Sequence, residues 1–352
     1  MANKKTTATN EVLSFATITP SGITVPDFIE RKTSSSKWVN FGEDNKLPDY
    51  LWDNYLKCSN LQSIVNTVVD YIIGDGVEHN FLFDEKQSEP IEEVIKKCVF
   101  DYILFGGFTI EGIRNKNGEI VNLNYINVMN VRVNDTLDTA YLSNKWGNYT
   151  GKNVIELPLY KKDEKQPHFI FYYRGAITRN IYPIPIYASA MKSVAILNNT
   201  RNFHLRNIEN NFSVNAIINL NNGNIKTREL EEIKDKLEKN YCGSENAGKF
   251  LLINGGDKEH AATVERLDAD KFGDLYSALS DSSKEDIFVA FRMNPILMGQ
   301  NVQSGFSKQE FEQAYALYNR TVIKPLQNNI INAFSNLGIE VSFKQIVIEW
   351  GD

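Results

Sequence analysis

The segment that looks most like a catalytic motif runs from Gly243 to Lys249. Its glycine and lysine spacing matches a phosphate-binding loop, in which backbone N–H groups surround the phosphates and the lysine contacts them. That chemistry also needs a hydroxyl directly after the lysine to bind Mg²⁺, and Phe250 cannot supply one. It further needs a helix after the loop, whereas the pattern here predicts helix, loop and then strand. A helix end at Gly243 and a tight turn is therefore favoured, and a nucleotide-dependent enzyme is the alternative.

The other residues that could do chemistry form no pattern typical of a metal site or an activated nucleophile. Asp268, Asp270 and Asp274 lack the spacing of a calcium loop, and acidic residues in a first helical turn are stabilised by the helix dipole. The four histidines lie too far apart for ligand spacing: His79, His168, His204 and His260. We therefore predict that the protein is not an enzyme and has no catalytic residues, metal or cofactor.

Composition narrows the class of protein further. The 352 residues leave room for two or three domains at ~150 residues each, and 42% hydrophobic and 23% charged residues are ordinary for a folded chain. A net charge of −6 argues against a nucleic-acid binder that acts through bulk positive charge. No apolar run is long enough for a membrane span, no signal-peptide core follows Met1, and three scattered cysteines give neither disulfides nor zinc. We expect a soluble protein with reduced thiols and no membrane contact.

Hydrophobic spacing predicts an α+β fold for the amino half. Residues 1–45 are rich in Thr, Ser and Asn and are expected to form an arm. From Leu47 to Gly74 apolar residues recur about every 3.6 positions, which predicts helical structure, and a second helix is expected from Pro90. After it, the turn signal Asn115-Lys-Asn-Gly118 predicts an antiparallel hairpin between strands at 108–114 and 119–133.

The middle of the chain predicts a long helix and a small insert. Tyr182-Pro-Ile-Pro185 breaks the chain, and residues 187–210 then predict a helix ~36 Å long at ~1.5 Å per residue. The βαβ insert follows, with its strand, helix and strand expected at 212–220, 227–241 and 250–253.

Two more helices and a strand are predicted in the carboxyl part. A helix at about 269–291 contains a capping-box pattern at Ser282 and Glu285, so it is either one bent helix or two. A second capping box at Ser307 starts a long amphipathic helix that Pro325 should kink. The last strand is expected at 340–349.

The order of short motifs from Tyr182 to Asn329 resembles the portal proteins of tailed double-stranded-DNA bacteriophages, in their short siphovirus-type form. The amino half fits that family more loosely, so the resemblance covers about 45–350. The motifs that carry it are Tyr182-Pro-Ile-Pro185, Asn210-Asn211, Tyr241-Cys-Gly243, Asn246-Ala-Gly-Lys249, Phe250-Leu-Leu-Ile-Asn254, Pro295-Ile-Leu-Met-Gly299, Ser304-Gly305-Phe306-Ser307 and Ile323-Lys-Pro325.

The resemblance implies a function as a head–tail connector. Portal proteins assemble as rings, usually of twelve, at one vertex of the capsid, and the double-stranded DNA genome is packaged and ejected through the central channel. The implied partners are further copies of the chain, the DNA, the terminase large subunit, a head–tail adaptor and the major capsid protein. The implied location is the virion, after assembly in the host cytoplasm. A scaffold protein of prophage origin without a packaging role is the other alternative.

The resemblance also implies a division of the chain. The expected parts are an arm at 1–45, an α+β wing at 46–185, stem helix 1 at 186–211, a βαβ clip at 212–264, stem helix 2 at 265–294, a tunnel loop at 295–307, and a kinked wing helix with a carboxyl-terminal strand at 308–352, with the crown minimal or absent.

Three sets of residues are assigned roles by this division. The residues expected to face the DNA channel are Gln300, Asn301, Val302, Gln303, Ser304, Gly305 and Lys308. Those expected to contact neighbouring stems are Phe272, Leu275 and Leu279. Those expected to dock partners on the clip are Leu230, Lys234, Tyr241 and Lys249. An uncharged loop suits a channel because tight phosphate neutralisation would slow the DNA.

Overall fold

The computed structural model describes residues 25–32, 36–81, 89–146, 154–179, 181–209, 216–220, 232, 250–254, 269–299 and 307–347. The strands are β1 (Glu30–Lys32), β2 (Val39–Phe41), β3 (Gly76–His79), β4 (Phe108–Arg114), β5 (Ile120–Ile126), β6 (Val131–Val133), β7 (Thr139–Leu142), β8 (Ile155–Pro158), β9 (His168–Tyr173), β10 (Ala216–Leu220), β11 (Phe250–Asn254) and β12 (Val341–Lys344). The α-helices are α1 (Leu47–Lys57), α2 (Ser59–Ile73), α3 (Ile91–Phe105), α4 (Met191–Glu209), α5 (Ala269–Ala290), α6 (Lys308–Tyr318) and α7 (Lys324–Asn336). The α+β class is confirmed.

Helices α1, α2 and α3 form the helical part of the predicted wing. Pro48 lies in the first turn of α1, where its missing N–H is not needed. Cys58 has extended backbone angles and separates α1 from α2, so the apolar spacing after Leu47 corresponds to two helices. α2 ends at Gly74, whose φ of +60° and close approach to the Lys344 carbonyl leave no room for a side chain.

Antiparallel strands pack with these helices. One sheet has the order β5-β4-β9, a second has β6-β7-β8, and β12 pairs with β3. The predicted hairpin at Asn115–Gly118 is confirmed, since β4 pairs with β5. The single strand expected at 119–133 is wrong: a 3-10 turn at Val128–Asn130, capped by the Asn127 side chain, separates β5 from β6. The strand expected at 340–349 is confirmed only as β12.

The wing core begins upstream of residue 46. β1 pairs antiparallel with β2, and Trp38, Val39 and Phe41 are buried. Phe41 stacks on Tyr182 with ring centroids 4.1 Å apart. The few apolar residues of this polar stretch thus pack against residues beyond the predicted boundary at residue 45, which stays a prediction. The part of the expected arm before residue 25 lies outside the described residues.

A buried arginine fastens this segment to the wing. Arg132, with no exposed surface, donates from Nη2 to the Asn45 carbonyl at 2.9 Å and from Nη1 to the Met129 carbonyl at 3.0 Å. Its Nε donates to the side-chain oxygen of Asn45. Burial lowers the pKa of Arg132 to about 10, so the guanidinium is still charged at neutral pH. Its carbonyl and amide partners replace the hydration it loses.

The long helix after Ser307 is interrupted ahead of Pro325. The predicted capping box is confirmed: the Ser307 side chain accepts from the Glu310 N–H, and the Glu310 side chain accepts from the Ser307 N–H. Residues Asn319–Ile323 form a π-helical turn between α6 and α7. The expected effect of Pro325 on the helix therefore takes the form of a π turn, and the proline occupies the first turn of α7.

Candidate functional site

Two helices, α4 and α5, stand where the sequence predicts the stem. They pack against each other, and Ser193 Oγ donates to Asp286 Oδ2 at 2.7 Å across the contact. α5 is one continuous helix from Ala269 to Ala290, so the capping box considered at Ser282 does not start a second helix. Ser283 is buried, which fits an uninterrupted helix that packs through this turn.

Polar contacts attach α4 to α1 and α2. Asn198 Nδ2 donates to Asn54 Oδ1 at 3.0 Å, and Arg201 Nη2 donates to Asn60 Oδ1 at 2.7 Å. Tyr187, which precedes α4, stacks on Phe291, which follows α5, with ring centroids 5.2 Å apart. The amino-terminal end of α4 and the carboxyl-terminal end of α5 thus share the core formed by α1, α2 and α3.

Part of the apolar surface of the stem is not covered within one chain. Leu205 is 54%, Leu279 is 41% and Val289 is 67% exposed. Phe272 and Leu275 also belong to α5, but their side chains lie outside the described residues. Of the three predicted stem contacts, Leu279 is thus the one whose described position leaves it available to another molecule.

Three of the eight exposed positions on the described side chains of α5 are acidic, and none is basic. Asp281, Glu285 and Asp286 are exposed, and Lys284 pairs with Asp281 at 2.8 Å. A surface of this sign does not bind phosphate groups tightly.

Hydrogen bonds anchor the amino-terminal side of the predicted tunnel loop, and residues 300–306 lie outside the described residues. Tyr71 Oη donates to the Leu297 carbonyl at 2.8 Å, and burial raises the pKa of Tyr71 to about 12. Tyr318 Oη donates to the Phe291 carbonyl at 3.3 Å. The described member of the predicted loop set, Lys308, begins α6 and lies 3.9 Å from Glu312.

The strands of the predicted clip pair in parallel. Ala216 is in register with Phe250, and Leu220 with Asn254. A parallel pair needs a crossover connection, which the βαβ prediction supplies. The four predicted docking residues, Leu230, Lys234, Tyr241 and Lys249, lie outside the described residues. β11 begins directly after Lys249, where a phosphate-binding loop would require a helix.

The described histidines have structural partners. His79 Nε2 lies 2.9 Å from Glu92 Oε1, and His168 Nε2 lies 2.6 Å from Glu111 Oε1. Within the described ranges no three His, Cys, Asp or Glu side chains come together as a metal site would require. Asp268 and the side chains of Asp270 and Asp274 are not among the described parts. None of the described helices combines the length and hydropathy needed to cross a bilayer.

Sequence reasoning did not single out several groups that the structure brings to the junction between stem and wing. Tyr71 belongs to α2, far in sequence from the Leu297 carbonyl that it binds. Arg292 follows α5 and donates to the Thr321 carbonyl at 3.3 Å. The presence of Pro325 four residues after Thr321 is the signal that could have pointed to such a donor.

The sequence profile of one protein family matches most of the chain. The sequence profile described as "Phage portal protein" matches residues 88–346, which is more than half of the chain. The chain therefore belongs to the phage portal protein family, whose members are structural proteins.

Two curated relatives match a shorter stretch. An uncharacterised protein of Rickettsia bellii is 28% identical over 134 residues, which are 38% of this chain and 33% of the relative. An uncharacterised protein of Rickettsia felis is 27% identical over the same length, with the same shares. The match spans about a third of the length of these relatives.

Solved structures share the fold at low sequence identity. A chain from the virion of a native gene transfer agent particle has a TM-score of 0.53 at 15% identity, covering 84% of this chain and 82% of that one. A chain from the neck of an empty particle of the same kind has a TM-score of 0.53 at 13% identity, covering 84% of each. An HK97-family phage portal protein from Corynebacterium diphtheriae has a TM-score of 0.51 at 11% identity, covering 83% of this chain and 94% of that one.

Proposed function

We propose that the protein is the subunit of a portal ring through which a phage genome is packaged and ejected. The observation that carries the proposal is the family match over residues 88–346, on a chain whose fold resembles an HK97-family portal protein. The resemblance to chains from the neck and virion of gene transfer agent particles adds support, because those proteins work within assembled particles.

A ring accounts for the exposed apolar surface of the stem. Two packed helices cannot enclose an apolar face on all sides, so Leu205, Leu279 and Val289 remain exposed in one chain. A head-to-tail contact that closes on itself gives every copy a neighbour on both sides. Neighbouring stems would then cover the side chains that a single stem leaves exposed. We place Phe272 and Leu275 in the same contact.

Low affinity for DNA suits a channel through which DNA slides. Each phosphate that a protein neutralises releases counterions, which makes DNA binding tighter and more dependent on salt concentration. Tight binding of this kind would slow the transit of the DNA. The net charge of −6 and the acidic exposed positions of α5 disfavour such binding. The loop residues 300–305 carry no charge, and we place them at the lumen with Lys308 as the nearest cation.

The remaining partners follow from a portal's place in the particle. We assign the clip, which contains the parallel pair β10 and β11, to contacts with the terminase large subunit and then a head–tail adaptor. Leu230, Lys234, Tyr241 and Lys249 are its proposed contact residues. The wing would contact the major capsid protein in the virion, after assembly in the host cytoplasm.

Electron microscopy of the purified full-length chain tests the proposal, together with mass measurement in solution. We expect rings with a central hole from the wild type. Leu279→Asp should give soluble subunits that form no closed rings, because a carboxylate would be buried without a partner in the stem contact. Ile155→Asp is the matched control, since Ile155 is 61% exposed but belongs to β8 of the wing.

Two results would contradict the proposal. A wild-type chain that stays a single subunit at every concentration, and in particles too, would exclude the portal function. Rings of normal size from Leu279→Asp would leave the function standing but remove Leu279 from the stem contact.

A further inference from the structure

Arg292 has a conformation that its residue type disfavours. It follows the last turn of α5, and its φ of +52° lies in the left-handed region. Glycine is the usual residue for this conformation at the end of a helix, because a Cβ atom crowds the backbone there. We therefore expect the side chain of Arg292 to make a stabilising contact that glycine could not make.

The guanidinium supplies a hydrogen bond that Pro325 removes. Arg292 Nη2 donates to the Thr321 carbonyl oxygen at 3.3 Å. In a regular α-helix this carbonyl would accept from the N–H of residue 325, four positions later. Proline has no N–H, and its ring also clashes with that carbonyl. Arg292 thus binds the one carbonyl that loses its α-helical donor to the proline.

The surrounding backbone can adopt more than one hydrogen-bond register. In the π turn Asn319–Ile323, the N–H of Lys324 donates to the Asn319 carbonyl, five residues back. A π turn differs from an α-helix by one residue in its pairing, and such turns occur frequently at functional sites. The hydrogen bond from Arg292 to the Thr321 carbonyl favours the register in which this carbonyl points away from the other hydrogen bonds of the helix.

A second contact joins the same two segments. Tyr318 Oη donates to the Phe291 carbonyl at 3.3 Å, and Tyr318 is buried. Two consecutive residues after α5, Phe291 and Arg292, therefore contact the last residue of α6 and the middle of the π turn. One contact thus lies directly before the interruption of the helical ladder and the other lies within it, and both precede Pro325.

We propose that Arg292 is a positioning residue that fixes the π register of residues 319–323 and so couples the end of α5 to the interruption of the long helix. Displacement of the α5 end would break the bond to Thr321 and release the turn towards another register. Movement of the stem would then reach the wing through α7. This coupling rests on the fold of the single chain and does not depend on ring formation.

Hydrogen–deuterium exchange on the full-length chain tests the coupling with Arg292→Gly, Pro325→Ala and the double variant. Glycine relieves the left-handed backbone, so a purely conformational role predicts unchanged or slower exchange in Arg292→Gly. We expect instead that the amides of residues 322–324 and 326 exchange about five- to tenfold faster, because the turn loses a charge-assisted bond. In the Pro325→Ala background the glycine should have no effect, since residue 325 then offers its own N–H to Thr321.

Helix α3 (Ile91–Phe105) is the internal control, because its amides should exchange at the same rate in all variants. Faster exchange in α3 would mean that the substitution loosens the whole chain and would contradict a local role. The coupling would also be overturned if Arg292→Gly left residues 322–326 unchanged, or if it accelerated them equally with and without Pro325.

Discussion

The buried carboxyl of Asp101 in α3 should make the stability of the wing depend on pH. Asp101 is fully buried, and its Oδ2 accepts from Tyr125 Oη at 2.9 Å and from the Val128 N–H at 3.2 Å. Within the described part of the chain, its Oδ1 has no hydrogen-bond partner. Burial raises the pKa of Asp101 to about 7, although the two hydrogen bonds oppose the shift.

The sign and size of the effect follow from proton binding. Between the ordinary pKa of 3.8 and the folded value of about 7, the folded chain retains a proton that the unfolded chain releases. This contribution to the free energy of unfolding is therefore fully present below about pH 4 and is lost as the pH rises to about 7. At ~1.4 kcal/mol per tenfold change in proton affinity, the loss is on the order of 4 kcal/mol.

Asp101→Asn isolates this contribution, because an amide oxygen can still accept from Tyr125 and Val128 but does not titrate. The quantity of interest is the free energy of unfolding of the wild type minus that of Asp101→Asn. We expect this difference to fall by about 4 kcal/mol between pH 4 and pH 8. Urea unfolding followed by tryptophan fluorescence at a series of pH values measures it. The comparison between variants removes the opposite contribution of carboxyls such as Glu92, whose pKa is lowered.

Asp53→Asn provides the matched control, because Asp53 is an exposed helical aspartate paired with Lys57. It removes an exposed carboxylate in place of a buried one, and the two variants are compared over the same pH range. The assignment of a proton-retaining carboxyl at position 101 would be refuted if the free energy of unfolding of the wild type minus that of Asp101→Asn stayed constant, or if it increased with pH.

Two further predictions concern the segment that joins α5 to α6. Changing Asn301 and Gln303 together to Lys should impair packaging or ejection while rings still form, since added cations would bind phosphates in the channel; normal phage yield would count against their proposed place at the lumen. Ser307→Ala should lower the free energy of unfolding by ~1 kcal/mol, because it removes the capping bond to the Glu310 N–H. Ser307→Thr is its control and should retain most of the stability in thermal unfolding.

Local signals predicted the elements whose ends depend on neighbouring residues. The capping box at Ser307 needs only residues within one helical turn, and the hairpin at Asn115–Gly118 needs only its turn. Both are present. The amphipathic spacing of α2 was equally informative, because its buried face repeats at the helical period.

The failures occurred where distant parts of the chain decide the outcome. Phe41 lies in a polar stretch, and only the stacking partner Tyr182, far along the chain, shows why it is buried. Arg132 is a charged residue in a strand whose three residues are all buried, and its partner Asn45 comes from the segment predicted as an arm. For the site, spacing singled out Leu279, which is exposed in the structure, whereas nothing near Leu297 in the sequence marks its carbonyl as the partner of Tyr71. Pro325 marks the Thr321 carbonyl as short of a donor, but not Arg292 as the residue that supplies one.

Close backbone contacts place the segment that leads into α4. Gly106 has φ of +89°, and a Cβ there would lie 2.6 Å from the Ile184 carbonyl carbon. A Cβ on Gly175 would lie 2.0 Å from the Gly106 carbonyl oxygen. The entry to the stem, Tyr182-Pro-Ile-Pro185, is thus placed by one backbone segment lying directly against another. Such contacts require glycine or proline at a few positions and leave most other side chains free to change. This matches a fold shared with a portal protein at 11% identity, and it predicts that substitution of Gly106 disturbs the stem more than loss of most exposed side chains around it.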